Sequence, residues 1–227
     1  MLNHRYVIPI ISALLLTITG INPLSAEQKT ENKGFLEIYC SRGFTYPSGE
    51  ISGDGGQEAR LSGSESAGIN AGYTVSDRHI VHLGIGALNQ RFEVERNYMG
   101  QEMLTSVEAK FMNFELSYRF QESWFYAGGG LYTGIPFGAW SRKNALNGTV
   151  TETLLYGSTE DAAQTTYGLL LFSGLTFDIN NTLSLNTGVK FLLPVTPAYE
   201  SDQDSIKIFD AAFCVAVAHK FNVPYID

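Results

Sequence analysis

The segment Phe209-Asp210-Ala211-Ala212-Phe213-Cys214-Val215-Ala216-Val217-Ala218-His219-Lys220-Phe221 decides the fold. Read at every second residue, one face is Phe209, Ala211, Phe213, Val215, Val217, His219 and Phe221. The other is Asp210, Ala212, Cys214, Ala216, Ala218 and Lys220. A period of two is that of a strand. The first face is large, apolar and aromatic at both ends. The second is small in the middle and charged at its ends. A buried sandwich strand alternates too, so this segment alone leaves two readings open: a sandwich, or a barrel wall in lipid.

The strand Thr105 to Phe120 favours the wall. Met112, Phe114, Leu116, Tyr118 and Phe120 share one face, while Asn113, Glu115, Ser117 and Arg119 share the other. Burying such a polar row in a dry core costs kilocalories per group unless all are paired. A polar barrel interior accepts it.

Six further segments alternate in the same way. In the first, Gly34 to Thr45, Leu36, Ile38 and Cys40 face out and Glu37 faces in. The others are Ser66–Ser76, 80–92, Trp124–Phe137, Thr166–Asp178 and Thr182–Leu193. In Trp124–Phe137 the run Gly128-Gly129-Gly130 lets a bulky inner neighbour approach the wall. Turns at 77–78, 121–123 and 180–181 are short. The segments 46–65, 93–106, 138–164 and 194–204 read as long loops, with 149–156 extending the flanking strands above the membrane. Strict alternation of short and long connections marks an outer-membrane barrel, with turns in the periplasm and loops outside. The expected fold is all-β, an eight-stranded antiparallel up-and-down transmembrane β-barrel. A soluble lipocalin-like ligand-binding barrel is the structural alternative, but it has an apolar interior and no such alternation.

Residues 1–26 read as a signal peptide: His4 and Arg5, an apolar run from Val7 to Ile18, then Pro23-Leu24-Ser25-Ala26. The run is too short for a confident membrane span. A polar lead (27–33), the barrel (34–221) and a tail (222–227) follow. The formal net charge is −8, and the leader carries one basic residue and no acid, so its removal leaves −9. An acidic chain is a poor candidate for nucleic acid. Cys40 and Cys214 fall on opposite faces of their strands, so no disulfide is expected between them.

With these strands and loops in place, the chain resembles the small eight-stranded outer-membrane proteins of the OmpA-transmembrane-domain, OmpX and OmpW type. The resemblance spans the mature chain and rests on pattern. It implies location in the bacterial outer membrane, contact with outer-membrane lipid and lipopolysaccharide, and a final strand read by the barrel-insertion machinery. Phe213, Val215, Val217 and Phe221 match that assembly signal. The tail 222–227 departs from the family's habit of stopping on the aromatic.

Six inward charges form an expected lumen network: Glu37, Glu115, Arg119, Lys190, Asp210 and Lys220. Mixed signs suit a salt-bridged plug, since eight strands enclose little more than side chains. The alternative is a narrow pore selecting ions or small solutes. No catalytic, cofactor or metal motif is found. Asp54-Gly55-Gly56 is not an EF-hand loop. Lipid A acyltransferases and deacylases need His and Ser close together. His82 faces in and reaches Ser76 or Ser117 only if register allows; His79 and His219 lie near the periplasmic rim. The chain therefore reads as a non-enzymatic, monomeric scaffold. The four loop segments carry −3, −2, −1 and −3 over 46–65, 93–106, 138–164 and 196–204, which is all of the mature net charge. Glu50, Asp54, Glu58, Glu200, Asp202 and Asp204 are the candidates for capturing a basic extracellular protein ligand.

Overall fold

The computed structural model describes residues 34–51, 58–76, 78–98, 101–137, 140–146, 149–155, 164–200 and 204–221. The leader, the lead and the tail lie outside these. Strands β1 (Gly34–Ile51), β3 (Ser62–Ser76), β4 (His79–Tyr98), β5 (Gln101–Glu122), β6 (Phe125–Pro136), β9 (Thr166–Asp178), β10 (Leu183–Pro194) and β12 (Asp204–Phe221) form the wall. Each pairs antiparallel with the next, and β12 pairs with β1 to close the ring. Four short strands decorate the outer end. β2 (Glu58–Arg60) lies on β4, the hairpin β7 (Trp140–Leu146) and β8 (Thr149–Leu155) lies on β5, and β11 (Tyr199–Glu200) lies on β12.

The register fixes the barrel's geometry. From Lys110 the cross-strand partners run through Asn89, Glu65, Arg42, Phe213, Val189, Ser173 and Ala127 to Phe120, ten residues further along the same strand β5. A shift of ten over eight strands, at about 3.3 Å per residue and about 4.8 Å between strands, tilts the strands by about 41°. Each residue then climbs about 2.5 Å, so Lys110 stands about 25 Å above Phe120. That is the height of the apolar band of an outer-membrane barrel. Between those two levels the outer face of β5 is Met112, Phe114, Leu116 and Tyr118, and Lys110 is the first charge above it.

The outer surface is apolar over most of this band, the Arg42–Glu65 ion pair on β1 and β3 interrupting it below the level of Lys110. Leu83, Leu116 and Leu131 sit side by side on β4, β5 and β6, at 64%, 51% and 59% exposure. Lipid satisfies such a row and water does not. At the periplasmic edge Trp124, Tyr118 and Phe221 are exposed and Phe120 is half-buried, as an aromatic girdle requires. Leu116→Arg is expected to remove about 2–4 kcal/mol of stability in phospholipid vesicles. Urea unfolding followed by tryptophan fluorescence measures this; a loss below about 0.5 kcal/mol would place Leu116 outside the lipid.

The outer connections are shorter than the sequence suggests. The segment 93–106, read as a loop, is a paired ribbon that runs from Phe92–Val107 to Tyr98–Gln101. Its charges Glu93 and Glu95 are alternate outward residues of a strand, while Phe92, Val94, Val107 and Ala109 are buried on the inner side. The segment 46–65 likewise shrinks, because β1 continues to Ile51 and β3 starts at Ser62. Glu65, counted with that loop, lies in β3, where it pairs on the outer face with Arg42 at 3.7 Å.

Inside, the barrel is packed by a pairing of aromatics with glycines. Phe35 lies opposite Gly72, Tyr39 opposite Gly68, Tyr126 opposite Gly174, Tyr132 opposite Gly168 and Phe172 opposite Gly128. In each pair a Cβ on the glycine would come within 3 Å of the ring. The rings lie flat on bare backbone, as a narrow barrel demands. Phe172 over Gly128 is the bulky neighbour that the glycine run in β6 anticipated.

Candidate functional site

The middle of the lumen is an ionic layer. Glu37, Glu115 and Arg119 are buried on β1 and β5, and Lys190 of β10 is nearly so. Their alternation with outward apolar residues is what points them inward. Arg119 Nη1 stands 3.8 Å from a Glu37 oxygen, and its Nη2 donates to Thr176 Oγ1 at 2.7 Å. The guanidinium also lies 3.9 Å from the centre of the Tyr126 ring. Glu37 accepts further hydrogen bonds from Asn70 at 2.8 Å and Asn186 at 2.5 Å. Lys190 donates to Glu115, and its ammonium sits 4.8 Å over the Tyr39 ring. Two acids and two bases thus neutralise each other with most donors used, which is the condition for keeping charges out of water.

The six expected lumen charges do not form one network. Asp210 and Lys220 sit ten residues apart on β12, at opposite ends of the barrel. Asp210 is buried near the outer end, where Ser64 and Gln90 hydrogen-bond to it and its Oδ2 has no partner among the described residues. Lys220 is at the periplasmic mouth and reaches Asp178 at 2.5 Å. Among the described residues no ion pair joins either of them to the central four, although Asp210 lies one pleat beyond Lys190 on the neighbouring strand and Lys220 borders the same cavity as Arg119.

The sequence reading also missed the outer third of the lumen. It took a polar interior from the row Asn113, Glu115, Ser117 and Arg119. Leu88, Phe92, Val94, Val107, Phe111, Leu170, Leu192, Tyr199, Ile206 and Ile208 instead form one buried apolar cluster there. The signal was present, since Leu88, Phe111, Leu170, Leu192, Ile206 and Ile208 all fall on inward positions of their strands. It was hidden because outward positions beside them are apolar too, so alternation loses contrast.

Between the apolar layer and the mouth lies a cavity of 60 Å³ bounded by His82, Ser117, Phe172, Cys214 and the ionic four. Register places Ser117 directly opposite His82, which the sequence reading had left to chance. Among the described residues His82 Nε2 has no hydrogen-bond partner, however, and the imidazole is wedged between Phe35 at 4.9 Å and Phe172 at 6.3 Å. Neither geometry nor room supports a hydrolytic dyad acting on a lipid. His79 is exposed at the start of β4 and bonded to Tyr118. His219 stacks on Phe221. Cys40 is exposed on the outside and Cys214 lines the inner cavity; both are free.

A second cavity, of 230 Å³, occupies the periplasmic mouth, with Arg119, Thr176, Ser184, Asn186 and Lys220 in its wall. Arg119 and Asn186 border both cavities. Of the acidic candidates, Asp54 and Asp202 lie outside the described residues. Glu50, Glu58, Glu200 and Asp204 are placed by their backbone alone, at the outer ends of β1, β2, β11 and β12. Phe213 and Phe221 of the assembly-signal residues are exposed on the outer face of β12, with Val215 and Val217 between them half-buried.

No family model and no curated protein matches the sequence. Among solved structures, the chain is similar to the outer membrane protein OprG from Pseudomonas aeruginosa. The TM-score is 0.50 at 12% identity, over 85% of this chain and 98% of that one. AlkL, solved in DMPC bilayers, aligns at TM-score 0.48 and 13% identity, over 91% and 99% of the two chains. The Neisserial surface protein A aligns at 0.41 and 13%, over 82% and 97%. Identities this low speak to the fold alone. The fold is that of the small eight-stranded outer-membrane barrels, and a barrel with this apolar, girdled exterior resides in an outer membrane.

Proposed function

We propose that this barrel is a non-enzymatic scaffold whose closed wall displays acidic extracellular segments for partner capture. The filled lumen carries the reading. An apolar layer, an ionic layer and inward aromatics occupy it in turn, leaving 60 Å³ between the outer layer and the mouth. Such an interior holds the wall rigid and leaves function to the outer segments. Their excess acid favours a basic protein ligand or bridging cations, with binding that weakens as salt rises. The final strand, through Phe213, Val215, Val217 and Phe221, serves assembly.

Two measurements test this. The purified barrel in planar bilayers is expected to be silent; steady single-channel steps would favour the narrow pore. A binding screen against basic and acidic proteins is expected to find partners whose affinity falls about tenfold or more from low to physiological salt. Deletion of the segments 52–57 and 201–203 is expected to remove that binding. Tight binding of a polyanion such as heparin, or partner binding indifferent to salt and to the deletions, overturns the capture reading.

A further inference from the structure

We infer that the periplasmic mouth of the barrel is a binding site for a small carboxylate anion bearing a short apolar stem. This inference is independent of the capture reading, because it concerns the opposite end of the molecule.

The 230 Å³ mouth cavity has two unlike sides. On one, Phe35, Ile80 and Ala218 form a separate buried apolar cluster. On the other, two cations from opposite strands of the ring converge. Arg119 starts on β5, yet its guanidinium crosses the lumen to Thr176 on β9 and to Asn186 on β10, at 2.7 and 3.5 Å. Lys220 starts on β12, and its ammonium reaches Asp178 at the end of β9. Both positive groups therefore stand over the β9–β10 side of the mouth. Ser184, Gln121 and Ser123 add hydroxyl and amide groups. Among the described residues, no carboxylate lines this cavity.

Two observations point to a ligand. Arg119 is 4% exposed; Glu37 faces its Nη1 at 3.8 Å, and its Nε has no hydrogen-bond partner among the described residues. A buried guanidinium N–H without an acceptor is costly, and a carboxylate oxygen is its best-matched acceptor. Among the described residues, the Lys220 ammonium is held only by Asp178, whose side chain is 61% exposed. An ion pair so open to water contributes little, so its ammonium is free to turn to a second anion. A carboxylate placed between Arg119 and Lys220 gains charge-assisted bonds from both. Its stem then lies against Phe35 and Ile80. A cavity of this size suits a short stem and no more.

The test uses the full barrel in nanodiscs, with hexanoate and hexanol as probes and NMR observation of the Arg119 Nε–Hε and methyl signals of Ile80. Hexanoate is expected to shift both signals saturably, and hexanol to leave Arg119 unmoved. Lys220→Gln sits at the solvent-open rim and should fold as wild type; it is expected to weaken hexanoate binding about tenfold. Inorganic phosphate serves as the stemless arm. Phosphate moving Arg119 as tightly as hexanoate would overturn the apolar-stem part of the inference. Equal binding of hexanol and hexanoate, absence of saturation, or a Lys220→Gln variant binding as wild type would overturn the site itself.

Discussion

Gly174→Val is expected to prevent the barrel from reaching its compact, heat-modifiable form. Gly174 on β9 lies directly opposite Tyr126 on β6. A Cβ there would come 2.1 Å from the Thr187 carbonyl oxygen and 2.5 Å from Tyr126 Oη. The backbone oxygen cannot yield without breaking the β9–β10 ladder. Tyr126 cannot swing away either, because the Arg119 guanidinium rests on its ring and Phe172 packs 6.2 Å beside it. Moving Tyr126 would therefore pull apart the ionic layer as well. Overpacking of a filled core by one or two methyl groups typically costs about 1–3 kcal/mol, and here backbone obstruction adds to it. Unheated gel migration after refolding into vesicles reports the outcome. Valine at Thr187, half-buried on the outer side of β10, is the matched control and should migrate as folded. A Gly174→Val barrel that migrates as wild type would mean that Tyr126 does not lie over this glycine.

Lys190→Met is expected to destabilise the barrel by about 3–5 kcal/mol, the usual result of stranding one member of a buried ion pair. Glu115 is buried, and Lys190 is its cationic partner in the lumen. Removing the ammonium also takes the cation from the face of Tyr39. The second half of the test is the double variant Glu115→Leu with Lys190→Met. Replacing a whole buried pair by apolar groups is often neutral or stabilising, so the double variant should recover most of the loss. Urea midpoints of the four proteins in the same vesicles give the coupling directly. Losses that simply add would show that the two side chains do not meet in the folded wall.

The two experiments probe different layers of one interior. The first asks whether aromatic rings are seated on bare backbone. The second asks whether the charges in the middle are mutually satisfied. Both depend on the lumen being too narrow to admit bulk water, the same property from which the scaffold reading follows.

The wall was written in the sequence. Alternation along Phe209–Phe221 and along Met112–Phe120 states which side chains meet lipid, because the pleat of a strand sends successive residues to opposite faces whatever its neighbours are. That local rule gave eight wall strands, the inward direction of Glu37, Glu115, Arg119 and Lys190, and the outward direction of Cys40. It also exposed the aromatic girdle and the short periplasmic turns. Register was different. Which glycine receives which ring, and that Ser117 stands opposite His82, follow from hydrogen bonding between strands up to tens of residues apart in sequence. A slip of two would keep every residue on its face and change every such pair. Height along the barrel is decided in the same way. Asp210 and Lys220 share a face with the central four, but strand length carries them to opposite ends. The apolar outer layer and the paired ribbon beyond Phe92 escaped for a related reason: Glu93 and Glu95 read as loop charges until the partner strand shows them alternating with Phe92 and Val94. The sequence by itself determined what faces lipid and what faces the lumen, because that is a property of one strand. Only the tertiary structure decided what touches what inside, because contact is a property of closure, and closure is set by the ring as a whole.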